Sequence, residues 1–219
     1  MTRAVVFDLD GTLIDSVFDI HAAVAATLAA LGRPTLDPAA VRGFVGDGVE
    51  KLVERCLDAT GGHDTASLRA ALAMFTRAYA ENPATLTRPF EGVQQALARL
   101  DSAGLALAVA TNKPIALTEQ ILASLGLRQR FRVVLGGDSL ERMKPDPMPL
   151  LTAIKQLGGG AAVFVGDSET DEATAANAGV PFHFFSGGYR RKPAAEFRAD
   201  FVFDRFEDLV ERLCADAGT

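Results

Sequence analysis

Two carboxylates stand one residue apart at the end of the first apolar run of the chain. Residues Val5 to Phe7 are apolar, and Asp8 and Asp10 follow them. If this run is a strand, residues two apart project to the same side. Two carboxylates that close repel each other unless a cation or a proton lies between them. Asp10-Gly11 is also a common turn dipeptide, but a turn leaves the buried charge of Asp8 unexplained.

A third acid follows another apolar run further along the chain. Asp167 comes directly after this run, and its carboxylate would add an oxygen ligand to those of Asp8 and Asp10. Ligands bind beyond the carboxyl ends of the strands in open parallel sheets. Hard oxygen ligands with room for water and a substrate phosphate suit Mg²⁺. We therefore expect a magnesium site at this edge, with acids in ordinary surface turns as the alternative.

A hydroxyl and a lysine are expected at the same edge. Thr111 ends an apolar run before a predicted helix, so its hydroxyl and the free backbone N–H groups would form an anion site, with Asn112 beside it as a substrate-binding residue. Lys144 would neutralise phosphate charge that the metal does not reach. Asp171, four residues after Asp167, would hold this lysine in place. The alternatives are a helix-capping threonine, a surface lysine and a first-turn helix acid.

A glycine pair separates two predicted helices in the first half of the chain. The segment Gly46-Asp47-Gly48 is a simple helix–helix turn in one interpretation. In the other, Gly46 and Gly48 expose backbone N–H groups that close over a small acid, which makes them substrate-binding residues.

These residues need a parallel sheet to bring them together. Short apolar runs alternate with helical patterns, which is typical of a parallel sheet covered on both faces. We therefore predict an α/β fold with a doubly wound, Rossmann-like core. The predicted strands are Ala4–Phe7, Leu105–Ala110, Arg132–Leu135, Ala162–Val165, Pro181–Phe185 and Phe201–Phe203. The predicted helices of this core are Gly92–Ala103, Ile115–Leu125, Pro147–Leu157, Asp171–Ala178 and Phe206–Asp216.

Residues 16–88 break this alternation, because they contain no clear strand. Their predicted helices are Phe18–Leu31, Pro38–Phe44, Gly48–Ala59 and Thr65–Glu81. We predict that residues 16–88 form a helical cap, inserted into an α/β catalytic core made of residues 1–15 and 89–219. The two connections, near Ser16 and Arg88, would form a hinge.

Composition narrows the classes of partner. The chain has 219 residues and a net charge of −6, and its longest like-charge run is Arg190-Arg191-Lys192, so a nucleic-acid-binding face is not expected. Cys56 and Cys214 match no metal or redox spacing and are typical of reduced thiols. The alanine- and leucine-rich run from Ala22 to Leu31 is too short to span a bilayer. We expect a cytoplasmic monomer or homodimer that acts on a small phosphorylated metabolite and binds neither nucleic acid nor membrane.

Four motifs carry a resemblance to a known family. The motifs DLDGTL, ATNKP, KPDP and GDSETD, in this order, resemble those of the haloacid dehalogenase-like superfamily, and the resemblance covers essentially the whole chain. Within that superfamily, VVFDLDGTLIDS and VGDSETDEATAANAGVPF are most similar to bacterial phosphoglycolate phosphatases. The resemblance implies a Mg²⁺-dependent hydrolysis of 2-phosphoglycolate to glycolate and phosphate through an aspartyl phosphate.

The resemblance also implies roles for individual residues. Asp8 would be the nucleophile and Asp10 the general acid/base, while Thr111 and Lys144 would bind the transferring phosphoryl group. Mg²⁺ would be held by Asp8, the backbone carbonyl of Asp10, and Asp167. The insert corresponds to a helical cap, whose glycine pair would face the substrate.

Other activities within and outside the superfamily are alternatives. Haloacid dehalogenases and phosphonatases lack an acid at the position of Asp10, and phosphonatases need a cap lysine where this chain has only Lys51. A sugar-phosphate phosphatase, a pyrophosphatase and a β-phosphoglucomutase stay open, because the motifs do not choose among them. A phospho-accepting receiver domain uses similar residues without turnover, but it is much shorter and has neither a cap nor DLDGT.

Overall fold

The computed structural model describes residues 4–215, and its central element is a parallel sheet. In chain order the strands of this part are β1 (Ala4–Phe7), β2 (Ile14–Asp15), β3 (Arg88–Pro89), β4 (Ala106–Ala110), β5 (Val133–Leu135), β6 (Ala162–Gly166), β7 (Phe182–Phe185) and β8 (Phe201–Phe203). Six of them form one sheet in the order β5-β4-β1-β6-β7-β8. Every pair of neighbours in this sheet is parallel. The predicted α/β fold class is confirmed.

Helices connect and cover the strands. They are α1 (Val17–Ala30), α2 (Pro38–Phe44), α3 (Val49–Asp58), α4 (Thr65–Glu81), α5 (Val93–Ser102), α6 (Ile115–Ser124), α7 (Met148–Gln156), α8 (Glu169–Ala178) and α9 (Phe206–Ala215). Short 3₁₀ turns lie at Arg128–Arg130 and Ala194–Glu196. The predicted last residue of the final helix, Asp216, lies outside the described residues.

Strand β1 shows why the sheet strands are continuously apolar. All four of its residues are buried, and β4 and β6 pair with it on its two edges. Val5 and Phe7 pack into one apolar cluster, whereas Val6 packs into the cluster on the other face together with Phe164. Since successive side chains point to opposite faces, both faces are covered. Asp8 is the first residue beyond this buried strand.

Helix α8 begins two residues earlier than the pattern predicts. Ser168 caps the helix, because its hydroxyl accepts from the N–H of Asp171 and donates to the carboxylate of the same residue. A capping box of this kind fixes the start of the helix. It also fixes where the Asp171 carboxylate points, which matters for the site.

The helices α1 to α4 lie between two short strands that the sequence does not reveal. Strands β2 and β3 pair antiparallel, with Ile14 opposite Pro89 and Asp15 opposite Arg88. Two residues are too few to show an alternating pattern, so both connections were predicted as linkers rather than strands. The paired connections bring the two ends of the helical segment side by side. Its limits at residues 16 and 88 stay a prediction.

The exit of the helical segment is tied back to its entry. The buried carboxylate of Asp19 in α1 accepts hydrogen bonds from the backbone N–H groups of Leu86 and Thr87 and from the hydroxyl of Thr87. A buried carboxylate with several donors is fully satisfied. None of the helices in residues 4–215 combines the length and apolar character that crossing a membrane requires.

Candidate active site

A buried ion triad lies at the carboxyl edge of the sheet. Lys144 donates from Nζ to Oδ1 of Asp8 at 2.6 Å and to Oδ1 of Asp171 at 2.7 Å. All three side chains are at least nine-tenths buried. Burial opposes the charge of the lysine, but Asp171 and Asp8 more than offset it and raise the pKa of Lys144 above its usual value. The lysine is therefore a fixed positive charge beside Asp8.

Asp171 orients this lysine, and both of its carboxylate oxygens accept hydrogen bonds. Its Oδ1 accepts from Lys144, while its Oδ2 accepts from the hydroxyl of Ser168 at 2.6 Å and from the N–H groups of Asp167 and Ser168. These bonds occupy both carboxylate oxygens. The arrangement supports the predicted positioning role of Asp171.

Asp167 is held in a narrow polar slot next to Asp8. Its Oδ1 accepts from the hydroxyl of Thr12 and its Oδ2 from the N–H of Tyr189, each at 2.6 Å. A side chain on Gly11 or Gly188 would collide with the Asp167 carboxylate. Two glycines therefore give this carboxylate its room, since only glycine lets the backbone approach so closely.

The carboxylates at this edge fit a hard divalent cation. Asp8, Asp167 and Asp171 each place an oxygen within 4.8 Å of the others. Burial raises the pKa of Asp8, with Lys144 opposing the rise. Burial, Asp171 and Asp8 together raise the pKa of Asp167. A bound cation would offset the repulsion between these carboxylates, and oxygen donors suit Mg²⁺. The predicted ligands are Asp8, Asp167 and the backbone carbonyl of Asp10. The observed cluster shares the two carboxylates but has Asp171 as its third member.

The carboxylate of Asp10 points away from this cluster toward a second lysine. Lys113 Nζ lies 2.8 Å from both carboxylate oxygens of Asp10, and the hydroxyl of Ser16 donates to Oδ1 at 2.5 Å. Burial opposes the charge of Lys113, but Asp10 outweighs it, so the pKa of the lysine is raised. Asp8 and Asp10 are thus separated, each paired with its own buried lysine.

Thr111 and Asn112 begin the connection from β4 to α6. The hydroxyl of Thr111 accepts from the N–H of Lys113 at 3.2 Å, and both Thr111 and Asn112 line the same cavity as Asp8. The amide of Asn112 is already bonded to the backbone of Lys144 and to the carbonyl of Gly46. It therefore connects the core to the helical segment in addition to lining the cavity.

The cavity between the core and the helices, called here the site cavity, has two unlike walls. Gly46 and Gly48, both with positive φ, line it from the helical side. The remaining helical wall is apolar apart from the hydroxyl of Tyr79, and its apolar members are Ile20, Val45, Val49, Leu52 and Phe75. The cavity has a volume of about 40 Å³ open to water, enough for only a few water molecules.

A charged cluster around Asp47, called here the clasp, connects the helical segment to the core. Asp47, between the two glycines, accepts from Thr170 at 2.6 Å and from Arg191 at 2.8 Å on the core, and from Arg55 at 2.6 Å on α3. Burial alone would raise the pKa of Asp47, but these hydrogen bonds lower it to about 2. Asp47 therefore connects the glycine loop to the core as an ionised group.

The structure brings all of the predicted site residues to one edge, but sequence reasoning missed two others. Lys113 lies inside the ATNKP motif, of which the prediction used only Thr111 and Asn112. Tyr79 lies four residues after Phe75 in α4. A tyrosine at helical spacing from a phenylalanine is typical of a core stripe. Burial and the pairing with Asp10 distinguish Lys113 from a surface lysine, and neither can be seen in the sequence.

Proteins with curated names resemble this chain over nearly its full length. A "Phosphoglycolate phosphatase" of Cereibacter sphaeroides is 42% identical, over 96% of this chain and 99% of its own. A "Phosphoglycolate phosphatase, plasmid" of Cupriavidus necator is 44% identical, over 96% and 92%. A "Phosphoglycolate phosphatase 1" of Pseudomonas aeruginosa is 41% identical, over 99% and 80%.

Solved structures and a family pattern agree with these relatives. A crystal structure described as a "predicted phosphoglycolate phosphatase" from Haemophilus somnus superposes with a TM-score of 0.92 at 30% identity, covering 97% of this chain and 98% of that one. CbbY from Rhodobacter sphaeroides, in complex with phosphate, gives a TM-score of 0.76 at 27% identity, covering 95% and 96%. Residues 5–185 match the pattern of the haloacid dehalogenase-like hydrolases. This match, together with relatives that are more than 40% identical over nearly the whole chain, shows that the chain belongs to the haloacid dehalogenase-like hydrolase family.

Proposed function

We propose that this hydrolase is a phosphatase that converts 2-phosphoglycolate to glycolate and phosphate through an aspartyl phosphate on Asp8. The observation that carries the proposal is the buried carboxylate of Asp8, 2.6 Å from Lys144 and lining the same cavity as Asp10. The curated relatives, at 41 to 44% identity, support the choice of substrate.

The first step transfers the phosphoryl group to the enzyme. A carboxylate oxygen of Asp8 attacks phosphorus, a new O–P bond forms, and the bond to the leaving oxygen breaks. Asp10 gives a proton to that oxygen, so glycolate leaves as an alcohol. Lys144 and the N–H groups after Thr111 stabilise the charge on the other phosphoryl oxygens.

The second step releases phosphate and restores the carboxylate. A water molecule attacks phosphorus while Asp10 takes one of its protons, and the bond between phosphorus and Asp8 breaks. Mg²⁺ held by Asp8, the carbonyl of Asp10 and Asp167 would supply positive charge where the Asp8 carboxylate meets the phosphate dianion. Splitting one difficult displacement into two easier ones is the advantage of a covalent intermediate.

The helical wall of the site cavity supports a small leaving group. Its side chains are apolar except for Tyr79, so they offer little to the several hydroxyl groups of a hexose. Buried hydroxyl groups without partners are costly.

A panel of phosphate esters tests the reaction and the substrate together. Purified protein is assayed with 2-phosphoglycolate, glucose 6-phosphate and pyrophosphate, each with Mg²⁺ and with a chelator. We expect kcat/KM to be highest for 2-phosphoglycolate and turnover to need Mg²⁺. Higher efficiency with a hexose phosphate or pyrophosphate overturns the substrate, and no turnover of any ester overturns the phosphatase.

A further inference from the structure

Lys113 is a buried ammonium that lines the site cavity. Its Nζ contacts Asp10, and it lies 4.7 Å from the centre of the Tyr79 ring. An ammonium has three N–H donors, and Asp10 accepts at most two of them. The Tyr79 side chain lies beside the third donor and helps to raise the pKa of Lys113. Lys113 also lines the site cavity, so its positive charge favours an anion bound there.

Tyr79 adds a buried hydroxyl to this part of the cavity. Its side chain is almost fully buried, and its hydroxyl has no hydrogen-bond partner among residues 4–215. Burial raises the pKa of Tyr79 to about 12, with Lys113 opposing the rise, so the hydroxyl keeps its proton. Buried hydroxyl groups are rarely left without a partner, and one that lines a substrate cavity is suited to a ligand.

The rest of the cavity wall around Lys113 and Tyr79 is mostly apolar. Apolar side chains of α1, α3 and α4 surround them, and the first residues of α3, Gly48 and Val49, line the same space. A helix N-terminus favours negative charge. A positive charge, a hydroxyl donor and a helix N-terminus in an apolar cavity together suit one small anion with a short carbon chain.

We propose that Lys113 and Tyr79 form the subsite for the carboxylate of the leaving group, so that they select esters with a carboxylate one carbon from the phosphorylated oxygen. This inference rests on the function proposed above and specifies its substrate class. It adds two specificity residues that contact the leaving group and not the phosphoryl group.

The position of Lys113 relative to Asp10 sets the length of the acid. Asp10 must reach the oxygen that carries the phosphoryl group, and Lys113 Nζ is 2.8 Å from both oxygens of Asp10. In 2-phosphoglycolate only one methylene separates that oxygen from the carboxylate. One lysine can therefore hold the acid/base and the substrate carboxylate at once, which orients the leaving oxygen toward its proton donor.

A pair of non-hydrolysable inhibitors isolates the carboxylate. 3-Phosphonopropionate replaces the bridging oxygen of 2-phosphoglycolate by a methylene, and propylphosphonate is the same molecule with a methyl group in place of the carboxylate. Inhibition constants for both are measured in the Mg²⁺-loaded wild type and in Tyr79→Phe, Lys113→Met and Lys51→Met. Lys51 is an exposed lysine of α3, paired with Glu54, and serves as the matched control.

The subsite predicts a selective loss. Tyr79→Phe keeps the ring beneath Lys113 and should weaken 3-phosphonopropionate about tenfold, as expected for one hydrogen bond to a charged group, while propylphosphonate stays unchanged. Lys113→Met should weaken 3-phosphonopropionate by a larger factor, and Lys51→Met should change neither inhibitor. Tyr79→Phe keeps the test decisive if Lys113→Met disturbs Asp10 or fails to fold.

Two failures are distinguishable. If Tyr79→Phe leaves the ratio of the two inhibition constants at its wild-type value, the subsite is overturned even when the wild type prefers 2-phosphoglycolate in the ester panel. If the wild type prefers another ester in that panel, the proposed function fails first. A selective loss of 3-phosphonopropionate would then still support the carboxylate subsite.

Discussion

The two walls of the site cavity differ in polarity. On the core wall, Asp8, Lys144 and Asp171 form one bonded triad of charges. On the helical wall, apolar side chains surround the single hydroxyl of Tyr79. The apolar side chains of the helical wall exclude water, and electrostatic interactions are stronger where water is excluded. The helical wall therefore strengthens the interactions of the charges on the core wall. In the proposed reaction the core wall would supply the reactive groups, and the helical wall would limit the leaving group.

The largest expected effect comes from the core wall and separates its two lysine-paired acids. Asp8→Asn should lower kcat by on the order of 10⁴-fold or more, because a neutral amide cannot attack phosphorus. Asp10→Asn keeps the nucleophile but removes the base that activates water, so a phosphoryl adduct should persist on Asp8. Mass spectrometry of Asp10→Asn, acid-quenched after exposure to a phosphate ester with a good leaving group, checks this.

Two results would contradict these roles. An adduct on a residue other than Asp8 would mean that the nucleophile is misassigned. Full activity of Asp10→Asn beside an inactive Asp8→Asn would return Asp10 to the role of a turn residue.

The next effect tests whether the two walls must separate during turnover. Asp47 of the helical segment and Thr170 of the core are in contact, with Oδ1 and Oγ1 2.6 Å apart. Joining Asp47→Cys to Thr170→Cys with a disulfide or a short thiol cross-linker should lower kcat by on the order of 100-fold, because substrate and product must pass the closed walls. The reduced double variant is the matched control. Full activity of the cross-linked protein would exclude opening at this clasp.

A smaller effect concerns the metal and leaves the helical wall untouched. Asp167→Asn removes one anionic ligand, so half-saturating Mg²⁺ should rise by about tenfold or more and activity should partly return at high Mg²⁺. The same change at the exposed residue Asp101 is the control. An unchanged Mg²⁺ dependence of Asp167→Asn would remove Asp167 from the proposed ligand set.

The smallest effect comes from the clasp itself. Asp47→Asn weakens the partly exposed contacts to Arg191 and Arg55, so KM should rise only about two- to fivefold and stability should change by less than about 1 kcal/mol. The pKa of Asp47 is lowered to about 2 in the folded protein. Its contribution is therefore complete above about pH 4 and lost as the pH falls toward 2. The ratio of variant to wild-type KM should be equal at pH 5.5 and pH 8, and a ratio that changes over this range contradicts the ionised clasp.

The difference between the walls also decides how much the sequence could predict. The core wall was predictable because each of its acids follows a short buried strand, and a parallel sheet brings strand ends together. Asp8 and Asp167 could be placed on one edge in this way before any coordinates. The start of α8 was predicted two residues late, because the capping box of Ser168 and Asp171 depends on side-chain hydrogen bonds that the helical pattern does not show.

The helical wall was far less predictable. Tyr79 and Phe75 share one helical stripe, and periodicity cannot separate a core tyrosine from one that faces a substrate. One residue of the core wall was missed as well, because the role of Lys113 depends on a contact with Asp10, which lies 103 residues earlier in the chain. The strands β2 and β3 have two residues each, which is below the length at which alternation can be recognised. Each of these features depends on tertiary contacts that no local pattern records.

The ribbon of β2 and β3 has a consequence for the modularity of the molecule. Asp15 and Arg88 lie opposite each other in an antiparallel pair, so the whole helical segment enters and leaves the core at one point. A two-residue hairpin turn can connect such a pair. The ribbon therefore permits a graft in which another segment, or a bare turn, replaces residues 16–87. Such a chimaera would keep the triad of Asp8, Lys144 and Asp171, together with Lys113, but would lose Tyr79 and the apolar wall and open the triad to water. The part of the leaving-group selectivity that the helical segment supplies could therefore be exchanged separately from the reacting groups.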